Sequence, residues 1–426
     1  MTLSRRTLLG AAVAGTATVA AGVPVAAEAA AGDFSPPGDL IGRVTVGYQG
    51  WYGASGDGGT LGWWHNAGNW GKPPSEANET LWAWPEMREY DHKYPTGYPN
   101  LGNGDPATLF SSLDAQTIDT HFRWMMESGI DTAALQRFNP TGAEGPSRDL
   151  VTQHVRDAAE THGRKFYVMY DTGGWNNMRT DMTGDWTAKM SAYTSSSAYA
   201  MQNGKPVVGI WGFGFDDGGH VFDAQTCIEV VEWFQAQGCY VMGGVPTGWR
   251  DPSGGDDGYP DFLPVYHAFD CIMPWMVTRI SAPEGSDDFY SRVTLPDIAD
   301  CLAYGVDYQP CVIPGDLNRR ERKHGDFMWR QFYNVIRAGA PAIYVAMFDE
   351  MNESSQIFKT AESLADVPAG SKYIGLDEDG VKCTSDYYLR LTGDGGRMLR
   401  GEIALTATRP TVPWPGGTAQ RFAPQS

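Results

Sequence analysis

The sequence has few basic residues and, beyond Val25, no long hydrophobic run. Its 32 Lys and Arg side chains are outnumbered by 51 Asp and Glu, which gives a formal charge of −19 at pH 7. Nucleic-acid binding requires a concentrated positive face, so this balance argues against a nucleic-acid partner. Because no later segment is apolar over the roughly 20 residues that a helix needs to cross a bilayer, no membrane span is predicted there.

Common catalytic signatures are also missing. The chain has no Gly-x-Ser-x-Gly elbow of a serine hydrolase, no His-Glu-x-x-His helix of a zinc protease and no Gly-x-x-x-x-Gly-Lys phosphate loop. The stretch Asp216-Asp217-Gly218-Gly219-His220 offers oxygen and nitrogen ligands for a divalent ion, but it equally suits a glycine-flanked acidic turn. We interpret it as a turn, and we predict no metal and no cofactor.

The amino terminus has the features of an export signal. Ser4-Arg5-Arg6-Thr7-Leu8-Leu9 precedes a stretch rich in Ala, Val and Gly, and Ala27-Glu28-Ala29 fits a cleavage site. This order is typical of a twin-arginine signal, so residues 1–31 are predicted to be removed and the mature protein to be secreted without a membrane anchor. The six cysteines are expected to form few or no disulfides, because three lie in predicted buried strands.

Eight apolar runs are typical of buried parallel strands, and segments with helical periodicity separate them. Strand and helix alternating eight times predict a single α/β domain, a (β/α)8 TIM barrel over residues 32–410, followed by a C-terminal tail at 411–426. The predicted strands are Val44–Gly50, Thr132–Phe138, Phe166–Tyr170, Val207–Phe213, Cys239–Gly243, Cys271–Trp275, Tyr308–Ile313 and Ala342–Phe348.

In such barrels the loops after the strands form the active face, and here the residues at the strand ends are rich in tryptophan and acids. The loop after the first strand runs about sixty residues to the next helix, longer than a simple connection needs, which indicates a functional loop. The candidates for substrate contact at the strand ends are Trp51, Tyr52, Arg137, Asp171, Trp211, Trp249, Trp275 and Asp349.

Each of these candidates has a structural alternative. An aromatic ring can stack on a sugar face or simply pack in the core. Asp171, before Thr172-Gly173-Gly174, can bind a hydroxyl or form a turn. Arg137 and Arg250 can lower a carboxyl pKa in the site or balance acidic loops.

The last predicted strand is followed by three acids, Asp349, Glu350 and Glu353. Repulsion and desolvation make such clustering costly, so it indicates a site where carboxyl pKa values are pushed apart. Hydrolysis of a glycosidic bond uses a proton-donating acid and a second carboxylate near the anomeric centre, and Glu350 and Glu353 can supply both. The alternative is that both acids only stabilise the positive end of the eighth helix.

The stretch Phe348-Asp349-Glu350-Met351-Asn352-Glu353-Ser354 resembles the Trp-Asn-Glu-Trp-His-Glu-Gly stretch of glycoside hydrolase family 99, the endo-α-mannosidases and endo-mannanases. Val46 to Gly53 resembles that family's opening Tyr-Tyr-x-Trp-Tyr-Gly strand, and Ser111 to Asp131 resembles its first helix and second strand. The chain is also similar to the wider group shared with family 71, the α-1,3-glucanases. The glutamate spacing is kept, whereas the other five positions of the stretch differ, which leaves the sugar open.

The resemblance implies a retaining hydrolase in which Glu353 is the general acid/base and Glu350 withdraws the proton of the sugar 2-hydroxyl. That hydroxyl then attacks the anomeric carbon and forms a 1,2-anhydro sugar. This chemistry requires Glu350 to be ionised and Glu353 to begin protonated. The combined expectation is a secreted, monomeric glycoside hydrolase acting on a neutral, α-linked oligo- or polysaccharide. The alternative is a secreted glycan-binding barrel without turnover.

Overall fold

The computed structural model describes residues 33–251 and 258–416. The predicted export signal lies outside the described residues. Eight parallel strands are neighbours in chain order, which confirms the predicted (β/α)8 barrel. The barrel strands are Val44–Tyr48, Thr132–Arg137, Lys165–Asp171, Lys205–Trp211, Tyr240–Pro246, Cys271–Trp275, the divided seventh strand Asp307–Tyr308 and Cys311–Val312, and Ile343–Val345.

The seventh strand closes the barrel although it is divided. Its first half pairs with the sixth strand and its second half with the eighth, and the eighth also pairs with the first. Pro310 lies between the halves and has no backbone N–H to donate to a neighbouring strand, which interrupts the pairing there. Its carbonyl still accepts a hydrogen bond from the Tyr344 N–H at 3.0 Å, so the ring of strands stays continuous.

Helices follow the strands. The first ends at Gly129, whose φ of 72° lets its N–H donate to carbonyl oxygens of the last turn. The α-helices are Ala115–Ser128, Gly145–His162, Met178–Ala188, Ala224–Ala236, Leu263–Tyr266, Pro283–Phe289, Leu295–Tyr304, Asp326–Arg337 and Tyr387–Leu399. Short 3-10 or π turns are Met190–Ser195, Pro260–Phe262, Tyr290–Thr294, Lys323–Gly325 and Leu364–Asp366. Among the described residues, no helix is long and apolar enough to cross a membrane.

The long loop after the first strand is an ordered cover over one side of the barrel mouth. It contains a hairpin of Tyr94–Asn100 and Pro106–Leu109. Its backbone N–H groups at Trp82 and Ala83 donate to the Met351 carbonyl at 3.2 and 3.1 Å. The loop is therefore fixed to the turn that follows the eighth strand. All six cysteines are buried and free.

The last helix, Tyr387–Leu399, packs very closely on the first helix at Gly393. A Cβ atom at Gly393 would lie 1.9 Å from the Ser128 carbonyl oxygen. Gly393→Ala is therefore expected to lower the free energy of unfolding by about 1–3 kcal/mol, because the backbones have to move apart. Chemical denaturation measures this change.

Gly184→Ala is the matched control, since Gly184 also lies in a helix but has no atom within 4 Å of its Cβ position. Alanine there should raise stability by up to about 1 kcal/mol through helix propensity. Equal effects at the two positions would contradict the close packing of the last helix.

Candidate active site

A tight turn after the eighth strand brings the two glutamates to the mouth of the barrel. The N–H groups of Glu353 and Ser355 both donate to the Glu350 carbonyl at 3.3 Å. Ser354 has a φ of 60°, a left-handed conformation that reverses the chain. No helix begins at these residues, so the glutamates do not stabilise a helix end, and that alternative is wrong.

Asp349 and Arg148 hold the segment that leaves the first strand. The buried Asp349 carboxylate accepts the backbone N–H groups of Gln49 and Gly50, both at 2.8 Å. The buried Arg148 guanidinium donates to the carbonyls of the same two residues, both at 2.6 Å. Burial raises the pKa of Asp349 to about 6 and lowers the pKa of Arg148 to about 10. We therefore correct the expectation for Asp349, because it binds main chain rather than substrate.

This arrangement directs the Gln49 side chain at Glu350. Gln49 Nε2 donates to Glu350 Oε1 at 2.8 Å, and Ser355 Oγ donates to Oε2 at 3.0 Å. Burial, followed by repulsion from Glu353, raises the pKa of Glu350 to about 8 although both hydrogen bonds favour the ionised form. Glu350 thus tends to hold a proton at neutral pH, whereas the family resemblance required it to be ionised.

Glu353 faces a cavity of about 440 Å³ beside the barrel mouth. The cavity is also lined by Ser355, by Asp316 after the seventh strand and by Trp82 from the long loop. Although part of Glu353 is open to this cavity, the surrounding protein and the nearby Asp316 raise the pKa of its carboxyl. Glu350 is not among the residues that line this cavity, but it is repelled by Glu353 and accepts a hydrogen bond from Ser355, which both line it.

Trp211 and Trp275, the last residues of the fourth and sixth strands, lie beside each other. Trp275, half-buried, lies with its ring centroid 6.5 Å from that of Tyr344 and 5.5 Å from that of Trp211. Gly244 makes room for Trp211, because a Cβ atom there would lie 2.2 Å from the indole Cδ1. Trp211 and Trp275 therefore remain candidates for sugar contact.

Asp171 and Trp51 are also partly exposed. Asp171 Oδ1 accepts the Gly173 N–H at 2.9 Å, which confirms the turn, and burial raises the pKa of its carboxyl. Trp51 stacks nearly parallel to His65 at 4.0 Å and to Phe138 at 5.4 Å. Trp51 therefore stacks on other protein rings, His65 and Phe138. Asp171 is the last residue of the third strand and remains a candidate for substrate contact.

Two aromatic predictions need correction, since neither side chain reaches the cleft. The Tyr52 ring is buried, and its hydroxyl donates to Asn352 Oδ1 at 2.5 Å, so it supports the glutamate turn. The Trp249 ring is 1% exposed and packs edge-on against Tyr266. Both act through packing, which was the alternative that the sequence left open.

The arginines balance buried acids. Arg137 is 1% exposed, forms a two-point ion pair with Asp185 at 2.5 and 2.6 Å, and contacts Asp149 at 2.8 Å. Arg250 donates to the buried Asp297 at 2.5 Å. We therefore correct the expectation for Arg137, because its guanidinium has no surface to present to a substrate. Among the described residues, no cluster of His, Cys, Asp or Glu could hold a metal ion.

Sequence reasoning missed three residues that shape the site. Gln49 lies in the segment resembling the family's opening strand and could have been found there, but its contact with Glu350 joins positions about 300 apart in the chain. Ser355 follows the motif without any signal of its own, and Arg148 lies in the second helix.

No protein-family model matches the sequence, and no curated protein sequence matches it either. Solved structures do match. The GH99 endo-alpha-mannosidase from Bacteroides thetaiotaomicron superposes with a TM-score of 0.59 at 15% identity, over 85% of this chain and 98% of that protein. A second structure of that protein, in complex with bis-tris-propane, superposes with a TM-score of 0.56 at 16% identity, over 85% of this chain and 98% of that protein. The chain shares their fold. At this identity the likeness confirms the family 99 resemblance in fold alone.

Glu350→Gln should change how stability depends on pH. The folded-state pKa of Glu350, about 8, lies above the ordinary 4.5. The folded protein therefore keeps a proton that the unfolded chain has released, and its free energy of unfolding falls as pH rises through this window. We expect Glu350→Gln to gain stability over wild type by on the order of a few kcal/mol from about pH 5 to 9.

Denaturant unfolding at a series of pH values measures the difference. Glu127→Gln, at an exposed position of the first helix, controls for the loss of one carboxylate. Profiles of wild type and Glu350→Gln that run parallel over the whole range would contradict the raised pKa.

Proposed function

We propose that this protein is an exported glycoside hydrolase that cleaves a neutral, α-linked glycan. The observation that supports this best is the proximity of Glu350 and Glu353 at the carboxyl end of a (β/α)8 barrel, where Glu353 repels Glu350 and faces a cavity. The fold shared with an endo-alpha-mannosidase supports it independently. We propose three features together with the activity: export by the amino-terminal signal, an α-linkage in the substrate, and catalysis by Glu350 and Glu353.

In the proposed reaction the two carboxyls share one proton. Burial and mutual repulsion favour such a state over two ionised groups. The glycosidic oxygen accepts its hydrogen bond from Glu353, and the 2-hydroxyl donates to Glu350. Reaction therefore starts from the state in which Glu353 holds the proton, although burial favours Glu350 as its resting position.

The first step then needs no enzymic nucleophile. O2 gives its proton to Glu350 and forms a bond to C1, while the C1 to oxygen bond of the leaving sugar breaks and that oxygen takes the proton of Glu353. Water next attacks C1 of the 1,2-anhydro ring, giving its proton to Glu353, and Glu350 returns its proton to O2. Two displacements at C1 retain the configuration, and both carboxyls end as they began.

The charges around the pocket favour a neutral substrate. Asp316 lines the cavity together with Glu353, and the whole chain carries a formal charge of −19. An anionic glycan would meet repulsion at this acidic rim. We propose mannose as the first sugar to test, because the protein of similar fold is named an endo-alpha-mannosidase.

The test is a screen of the mature protein against α-linked plant, fungal and bacterial glycans, reading released reducing ends. Wild type should release them, and Glu350→Gln and Glu353→Gln should each be slower by about 10²–10⁴-fold, the usual contribution of one acid or base. Glu127→Gln serves as the matched control and should keep wild-type rates, since it lies on an outer helix. Melting temperatures confirm that the variants fold.

Glycan binding separates the two functions. If wild type and both site variants bind a glycan equally and none releases reducing ends, the protein is a glycan-binding barrel without turnover. Retained binding in the variants, together with release by wild type alone, supports the hydrolase.

A further inference from the structure

A buried arginine joins the loop after the seventh strand to the turn that carries Glu353. Arg322 is 1% exposed, and its Nε donates to the Gly315 carbonyl of that loop at 3.0 Å. Its Nη2 donates to the carbonyls of Ser354 and Gln356, both at 2.7 Å. Ser354 directly follows Glu353 in the chain. One guanidinium thus fixes the exits of the seventh and eighth strands to each other.

These contacts use the shape of the guanidinium. Its donors form a rigid planar fork, whereas lysine offers a point charge on a flexible stem. The ring of Tyr388 packs against Arg322, with its centroid 4.5 Å from the guanidinium carbon. Taking an ion out of water is costly, and here main-chain carbonyls rather than a carboxylate offset the cost. The buried charge is therefore used to hold main chain in place.

The loop that Arg322 holds also carries Asp316, which lines the same cavity as Glu353. Asp316 Oδ1 accepts the N–H groups of Asn318 and Arg319 at 2.8 and 3.2 Å, so the carboxylate is fixed on its loop. Arg319 Nε lies 3.3 Å from Oδ2, but this arginine is exposed, and water screens the ion pair. Glu353 therefore shares its cavity with a charge whose place depends on Arg322.

Asp316 acts on the proton of Glu353. Of the described residues, the charged side chains around the cavity are Asp316, Arg319 and Glu321 on the loop, Glu350 on the turn, and Lys372, which pairs with Glu79 and lies over the ring of Trp82. Burial, followed by repulsion from Asp316, raises the pKa of the Glu353 carboxyl. How far Asp316 lies from Glu353 therefore affects how firmly Glu353 holds its proton.

We propose that Arg322 is a positioning residue of the proposed hydrolase, which holds Glu353 and Asp316 at a fixed separation in their shared cavity. This inference rests on the proposed function and deepens it. Glu353 has to donate a proton to the leaving oxygen, and a carboxylate held nearby keeps that proton in place. A looser turn would let water between the two groups and weaken their repulsion. Arg322 thus affects the acid without contacting the substrate.

The titration of Glu353 tests this inference without turnover. Protein labelled with ¹³Cδ-glutamate is followed by NMR in the Glu350→Gln background, where Glu353 has no ionisable neighbour on its own turn. The Glu353 signal is assigned by its loss in Glu353→Gln. We expect Arg322→Lys to move the Glu353 midpoint to lower pH. Because lysine keeps the positive charge, the shift reports the position of the turn rather than a lost charge.

Arg137→Lys is the matched control, because Arg137 is also 1% exposed but pairs with Asp185 on the third helix. It should leave the Glu353 midpoint of the background in place. An equal shift in the two lysine variants would overturn the proposal, since any buried arginine would then have the same effect.

Asp316→Asn tests the other partner. Asparagine keeps an oxygen for the N–H groups of Asn318 and Arg319 but removes the charge, so the Glu353 midpoint should again fall. Arg322→Lys should then cause a smaller further shift than it causes alone, because the repulsion is already gone. No shift in Asp316→Asn overturns the proposal, even if Arg322→Lys does not fold. Fully additive shifts in the double variant overturn it as well.

Activity separates this inference from the hydrolase. On the α-linked glycan that the screen shows to be cleaved, Arg322→Lys should lower kcat by about 10–100-fold with little change in KM, and the alkaline limb of kcat should move to lower pH. A shifted titration in a protein that releases no reducing ends removes the hydrolase, while Arg322 still positions the two carboxyls. Release of reducing ends with an unmoved titration supports the hydrolase and removes the role of Arg322.

Discussion

The site depends on how two buried side chains of opposite charge hold one short piece of main chain. Asp349 binds both N–H groups of Gln49 and Gly50, and Arg148 binds both carbonyls. Removing an ion from water costs several kcal/mol, and these main-chain hydrogen bonds offset that cost. The same contacts fix the exit of the first strand against the exit of the eighth, so that Gln49 reaches Glu350. A site built on loops alone would not hold this contact so closely.

Burial then determines the acid–base state of the site. Gln49 and Ser355 both stabilise ionised Glu350, yet the pKa is raised to about 8, because desolvation outweighs the two hydrogen bonds. Repulsion from Glu353 acts in the same direction. The pair is therefore suited to hold one proton at neutral pH, which is the state that acid-assisted cleavage requires. In the proposed reaction the proton moves from the buried carboxyl to the open one before cleavage, and sugar hydroxyls that donate hydrogen bonds to Glu350 would favour that transfer.

The fold could be predicted from the sequence because parallel barrel strands are buried on both faces and appear as continuous apolar runs. All eight predicted strands overlap observed ones, and even the strand divided at Pro310 was found. The proximity of Glu350 and Glu353 after the eighth strand could be predicted, because acids at the end of a strand serve no packing purpose. Individual contacts were harder to predict. Side chains alternate along an extended segment, so adjacent Trp51 and Tyr52 differ in exposure. Arg137 pairs with Asp185, which lies on a later helix and could not be paired with it from the sequence.

The central claim is that the glutamate pair retains a proton at neutral pH. Carboxyl titration by NMR of protein labelled with ¹³Cδ-glutamate, compared with Glu350→Gln and Glu353→Gln for assignment, tests it most directly. The account predicts one glutamate signal that titrates near pH 8 and is lost in Glu350→Gln. Titration of both carboxyls close to the ordinary 4.5 would contradict it.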